Sequence, residues 1–200
     1  MKIAIMVEGS TEKAFIPHLR RFLELKLKGK MPKLDVFVCN GPIHSREKLR
    51  RTVEDLLNKG KPPADAVIAL TDVYTGKHNF EDAADAKKQM TQWVGPNSRF
   101  HPHAAQYDFE AWLLPYWPAI EKLAGFNRQS PGSPEKVNHS RPPSVHIKEL
   151  FALGKRRDYN KPRDANSILK DKDLAVAAAG CPELRDLLNT ILKLSGGELI

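Results

Sequence analysis

The chain has 200 residues, 41% of them hydrophobic, which suits one sizeable core with a small appendage and not a string of domains. Its 32 Lys+Arg against 24 Asp+Glu give a formal charge of +8, so the surface should attract polyanions such as nucleic acid. Two distant cysteines, Cys39 and Cys181, support neither a disulfide framework nor a zinc site, and no apolar run approaches the roughly 18 residues of a membrane span. No basic-apolar-small leader opens the sequence, so a cytoplasmic protein is expected.

Residues 3–23 read IAIMVEGSTEKAFIPHLRRFL. The apolar run Ile3 to Val7 predicts a strand buried on both faces, as in parallel sheets covered by helices. A helix should follow at once, capped by Ser10 or Thr11, with Ala14, Phe15, Leu19, Phe22 and Leu23 as its buried stripe. Lys33 to Cys39 predicts a second strand and Ser45 to Lys59 a second helix, stopped by Gly60, Pro62 and Pro63. Ala64 to Thr71 is a third strand that ends at Asp72, followed by a helix over Phe80 to Val94. Arg99 to Tyr107 is the fourth strand, with Pro102 placing it near an edge or a bulge. A helix over Phe109 to Leu123 carries Pro115 and Pro118 as points of interruption. Strands alternating with helices imply right-handed βαβ units: an α/β fold with a mainly parallel sheet flanked by helices.

Composition changes after Gly125. Residues 127–144, NRQSPGSPEKVNHSRPPS, predict a loop, and Val145 to Leu153 and Asp173 to Leu194 predict helices, the second divided at Gly180-Cys181-Pro182. The division is therefore a core over 1–125 and a loop with a C-terminal helical extension over 126–200, packed on that core.

Three strands end in acids: Glu8 after the first, Asp72 after the third, Asp108 and Glu110 after the fourth. In a parallel sheet these ends share one edge, where open α/β sheets place their ligands. Crowded carboxylates repel unless protonated or neutralised by a cation. Hard oxygen donors suit Mg²⁺ or Mn²⁺, ions that serve phosphoryl transfer. A single acid at such a position is more commonly a helix cap, and it is the coincidence of three strand ends that points to a metal.

VEGSTE at 7–12 resembles the first motif of Toprim domains, the metal-binding fold of topoisomerases, primases and several nucleases. With TDVYTG at 71–76, QYDFEAWLL at 106–114 and DYNKPRDA at 158–165, the chain resembles the Toprim-like bacterial family known as domain of unknown function 4276, which is similar in its core to OLD and RloB-like proteins. The resemblance implies that Glu8 is the first-motif glutamate and Gly9 the small residue that lets the chain turn beside it. Asp72 matches the first aspartate of the Toprim Asp-x-Asp, whereas Tyr74 stands where the second would be. Glu110 is the preferred substitute ligand, because it opens a helix whose dipole favours its charge; Asp108 is a second candidate or that helix's cap. Asp82 lies among Glu81, Asp85, Lys87 and Lys88, as a solvated face would. Lys161 resembles the family's late lysine and would steady a phosphate as a point charge.

The expectation is a Mg²⁺- or Mn²⁺-dependent nuclease acting on DNA or RNA, with Glu8, Asp72, Glu110 and Lys161 at its centre. The resemblance also implies a partner ABC-type ATPase encoded nearby and a role in defence against phage; GxxxxGK[ST] is absent from this sequence, so ATP chemistry would come from that partner. A homo-oligomer is compatible with the sequence, and the alternative is a degenerate Toprim module that binds nucleic acid or a protein without cutting. His101 and His103 share one strand face and are candidates for metal binding or a base, although packing explains them as well. Trp112, Tyr116 and Trp117 suit core packing better than base stacking. Lys48, Arg50, Arg51, Arg141, Lys155, Arg156 and Arg157 are candidate phosphate contacts on a basic surface.

Overall fold

All four apolar runs form strands: β1 Lys2–Val7, β2 Lys33–Val38, β3 Ala66–Asp72 and β4 Phe100–Ala105. The computed structural model describes residues 1–43, 45–74, 80–136 and 141–200. Thr75 and Gly76, which end the TDVYTG motif, lie outside the described residues, as do 137–140 of the polar segment.

The strands pair in parallel in the order β2-β1-β3-β4. The chain steps from β1 to β2 in one direction and from β2 through β3 to β4 in the other. Right-handed crossovers therefore place the first helix on one face and the next two on the opposite face. α1 (Ser10–Lys26) packs Phe15, Leu19 and Leu23 against Ile3, Ile5, Ile68 and Leu70. α2 (Arg46–Asn58) and α3 (Ala83–Val94) lie on the other face, where Leu49, Val53, Leu57 and Met90 meet Ala4, Met6, Val67 and Ala69. The registers Ala4↔Val67 and Ile5↔Ile68 show how successive residues alternate between these two layers.

Several element boundaries depart from the sequence expectation for identifiable reasons. α1 is capped at Gly9 and not by Ser10 or Thr11: the Glu12 carboxylate accepts the Gly9 N–H at 3.0 Å, so a side chain three residues into the helix supplies the cap. Asp82 is the cap of α3, accepting Asp85 N–H at 2.8 Å, and not one more residue of a solvated helix face. Phe109–Tyr116 winds as a 3₁₀ segment before α4 (Trp117–Ala124), because Pro115 and Pro118 cannot donate to a continuous α-helical ladder. Asp108 stands at the start of that segment without capping it by a side-chain hydrogen bond.

After a short 3₁₀ turn at Pro134–Lys136, the chain forms α5 (Pro143–Gly154), α6 (Lys161–Leu169), α7 (Leu174–Gly180) and α8 (Pro182–Leu194). α6 was not anticipated. Its start is built by DYNKPRDA: the Asn160 side chain accepts Arg163 N–H at 3.1 Å, while the Asp164 carboxylate reaches back to Asn160 N–H at 2.8 Å. These C-terminal helices share one apolar cluster with β1, β3 and α1 through Ile147, Phe151, Ile168, Leu188 and Ile191. They therefore complete the α1 side of the sheet.

Candidate functional site

The order β2-β1-β3-β4 puts a topological switch point between β1 and β3, since the connections leaving these neighbouring strands run opposite ways. A crevice opens at the C-terminal edge of the sheet at such a point. Glu8 follows the last residue of β1, and Asp72 ends β3. Glu8 is held by Ile43 N–H, which donates to Oε1 at 3.0 Å, and by the Thr71 hydroxyl, which donates to the same oxygen. Burial nevertheless pushes its carboxyl above the usual range. Asp72 is raised further, by burial first and then by Glu12, Asp108, Glu8 and Glu110 around it.

β4 delivers the third acid. Tyr107 takes a positive φ of 72°, uncommon for a bulky residue, and redirects the chain from the strand into Asp108. Asp108 is 2% exposed. Its Oδ2 accepts Ser144 N–H from the first turn of α5 at 3.2 Å, while its buried Oδ1 has no hydrogen-bond partner among the described residues. Burial, reinforced by Glu110, lifts this carboxyl to about 7.

Together these residues line an open cleft of about 360 Å³, with Gly9, Glu12, Tyr74, Ser144, Lys148 and Lys161 completing the wall. Gly9 has an extended φ of −151°, so the turn beside Glu8 does not itself demand glycine. Glu110 is not on that wall. It is 0% exposed beneath it, where Tyr159 O–H donates to Oε1 at 3.1 Å and Lys161 Nζ to Oε2 at 3.0 Å. Burial opposes the charge on Lys161, but Glu110, Asp108 and Asp72 outweigh it and hold the ammonium above its ordinary pKa. The geometry thus brings Glu8, Asp72, Asp108 and Lys161 to one cleft and makes Glu110 the buried counter-ion of Lys161.

Glu12 and Lys148 are charged wall residues that the sequence reading does not single out. Glu12 was legible as the last residue of VEGSTE, where Gly-x-x-Glu has capping-box spacing; burial raises its carboxyl too. Lys148 carries no local signal, since it reaches the cleft only because α5 packs there.

The donor chemistry suits a hard cation: carboxylate oxygens dominate, one buried oxygen is unpartnered, and four acids lie above their ordinary pKa. Among the described residues no three His, Cys, Asp or Glu side chains stand at the spacing of a closed metal shell.

The other candidates lie elsewhere. His101 and His103 pair with Ile68 and Leu70 in β4 register and line a separate hollow with Lys87 and Asp186; burial and Lys87 push His103 down to about 3, so it stays neutral. Trp112, Tyr116 and Trp117 are buried, Tyr116 donating to Asp173 O at 2.7 Å and Trp117 Nε1 to Arg128 O at 2.6 Å. Arg50 pairs with Glu54 and Arg141 with Glu149, while Lys155 caps the end of α5 at φ 53°. No helix among the described residues is long and apolar enough to cross a membrane.

In fold, the chain is similar to the C-terminal region of the Burkholderia pseudomallei OLD protein, with a TM-score of 0.53 and 12% identity over 96% of this chain and 98% of that one. The C-terminal region of the Xanthomonas campestris pv. campestris OLD protein is also matched, with a TM-score of 0.48 and 17% identity over 97% of this chain and 95% of that one. No curated protein sequence matches. The fold is thus the Toprim-like α/β architecture expected from the motifs. Residues 7–192 match the family described as domain of unknown function 4276, and the chain belongs to that family.

Proposed function

We propose that this protein is a divalent-metal-dependent nuclease that hydrolyses phosphodiester bonds of DNA or RNA. The observation that carries the reading is the convergence of Glu8, Asp72 and Asp108, from three strand ends, on one cleft that also contains Lys161. Mg²⁺ or Mn²⁺ held by these carboxylates would supply an activated water and charge neutralisation at the phosphate. Glu110 was the expected third ligand, but both its oxygens are engaged by Tyr159 and Lys161, so Asp108 with its unpartnered Oδ1 takes that role.

The chain's own residues prepare this site. The Thr71 hydroxyl and Ile43 N–H fix the direction of Glu8, and Asp108 can keep a proton near neutrality until a cation displaces it. Glu110 holds the Lys161 ammonium at the cleft, where it faces a non-bridging phosphate oxygen as a preorganised charge. Membership of a family resembling OLD and RloB-like proteins supports a cytoplasmic role in phage defence with a partner ABC-type ATPase.

Glu8→Gln and Asp72→Asn should each lose Mn²⁺ binding, read by calorimetry, and metal-dependent cleavage, while keeping their fold. Wild-type cleavage by either variant would overturn the assignment. Tyr74 on the cleft wall, in the place of a second aspartate, favours a second reading: a module that grips nucleic acid without cutting. Tight metal-independent binding with no cleavage by the purified protein, alone or with its ATPase, would select it.

A further inference from the structure

At the end of α6 remote from the acid cleft lies a second open hollow, of about 640 Å³. Its cations come from three separate places in the chain: Lys122 near the end of α4, Arg156 and Arg157 after α5, and Lys170 and Lys172 after α6. Asp171 is the carboxylate on this lining, and it pairs with Arg21 at 2.7 Å. Among the described residues Lys122, Arg156, Lys170 and Lys172 form no ion pair. Five cations thus line the hollow, with Asp171 as its one acid among the described residues, beside Lys170 and Lys172, and this excess of positive charge creates a field that attracts a polyanion.

One of the two arginines is held in place by its contacts. Arg157 Nη1 meets the buried Asp164 at 2.6 Å and its guanidinium lies over the Phe151 ring at 5.3 Å. Arg156 runs across Gly125, where a Cβ would come within 2.1 Å of its Nε. Held in this way, Arg157 loses little further freedom when a ligand binds. Ala119, Leu123 and Ser167 make up the rest of the lining, so it offers no aromatic platform for stacking a base. An open, basic surface of this kind suits phosphates along a chain, contacted without reading sequence.

We propose that this hollow is a backbone-binding site for nucleic acid, holding the strand that runs to the acid cleft. It rests on nucleic acid being the ligand of the protein, as in the function above. α6 links the two places: Lys161, its first residue, is on the cleft wall, and Lys170 follows its last. Nine residues of helix span about 14 Å, roughly four nucleotides at about 3.4 Å each. The hollow is therefore within reach of the same strand.

The test is fluorescence anisotropy of a labelled single-stranded oligonucleotide, DNA and RNA in turn, in EDTA so that cleavage plays no part. The full chain is compared with Lys170→Glu/Lys172→Glu and with Lys30→Glu/Lys61→Glu, a control of equal charge change at exposed positions off the hollow. The hollow variant should bind about 10-fold or more weakly, and its log–log salt slope between about 50 and 200 mM should be shallower by about 1.4, at roughly 0.7 per lost single-strand phosphate contact. The control should retain the slope. Equal weakening in both variants, or unchanged affinity in the hollow variant, would overturn the site. So would competition by inorganic phosphate as effective, per phosphate, as the polymer. If Asp72→Asn abolishes nothing while the hollow variant still loses binding, the nuclease reading fails and the backbone site stands; the converse result separates them the other way.

Discussion

Replacing Asp108 by Asn should stabilise the metal-free protein, by an amount that grows as pH rises from the unfolded value of the carboxyl to its folded one. In the unfolded chain this group titrates near 3.8, whereas in the fold burial and Glu110 lift it to about 7. Between those values the folded state binds the extra proton, so its stability falls as pH rises through that window. The difference between the two values corresponds to roughly 4 kcal/mol at about 1.4 kcal/mol per tenfold change in proton affinity, and solvent in the open cleft reduces the effect to about 2–4 kcal/mol. Asn keeps an oxygen for Ser144 N–H and removes the charge. At about 2–4 °C per kcal/mol for a chain of this length, the melting temperature at pH 8 in EDTA should rise by about 5–10 °C, and at pH 5 by roughly a third of that. Mn²⁺ should then stabilise the wild type at pH 8 and do so far less for the variant, because ligand binding raises the stability of the form that binds it. Thermal melts followed by circular dichroism at the two pH values, with and without Mn²⁺, read all of this. A variant less stable than wild type at pH 8, or equally stabilised at both pH values, would refute the reasoning.

Glu110→Gln should lower stability by about 1–3 kcal/mol, because it removes the charge partner of a half-buried Lys161 that keeps only solvent, Asp108 and Asp72; adding Lys161→Met should restore part of the loss, as a chemical-denaturation cycle of the four proteins would show. Tyr74→Asp adds a carboxylate to a wall that already crowds Glu8, Glu12, Asp72 and Asp108, so it should lower the metal-free melting temperature at pH 8 and tighten Mn²⁺ binding about 10-fold by calorimetry. Unchanged metal affinity in that variant would show that position 74 does not face the ion.

The sheet was legible because buried parallel strands announce themselves as unbroken apolar runs, and Ile3 to Val7 or Ala66 to Leu70 have no other simple reading. The strand-end acids followed from the same logic, since parallel pairing puts Glu8 and Asp72 on one edge whatever the loops do. Glu110 was placed on the cleft because it begins a segment after β4, but sequence cannot show that Tyr159 and Lys161, 49 and 51 residues later, fold over to occupy its oxygens. α6 escaped notice for a related reason. Its apolar stripe is only Ala165, Ile168 and Leu169, and its start depends on polar side chains of DYNKPRDA bonding one another. Such contacts leave no hydrophobic period to read.

The buried pair also explains why the C-terminal helices matter to a cleft they barely line. A carboxyl group with no exposure needs partners for its oxygens, and α6 brings one in Lys161. The start of α6 is fixed in turn by Asp164, itself buried and held ionised by Arg163, Asn160 N–H and Arg157, which outweigh the cost of burial. Charge satisfaction therefore runs from the basic hollow, through Arg157, Asp164 and the α6 start, to Lys161 and Glu110. Glu8, Asp72 and Asp108 lie beyond the end of that chain, and their carboxyls stand above the usual range because burial and neighbouring acids disfavour the charge: Glu12 at Glu8, Glu110 at Asp108, and all four of the others at Asp72. On the proposed function, an external divalent cation would relieve that repulsion without disturbing the internal pair. Metal affinity should then respond to changes at Glu8, Asp72 and Asp108, and folding stability to changes at Glu110 and Lys161.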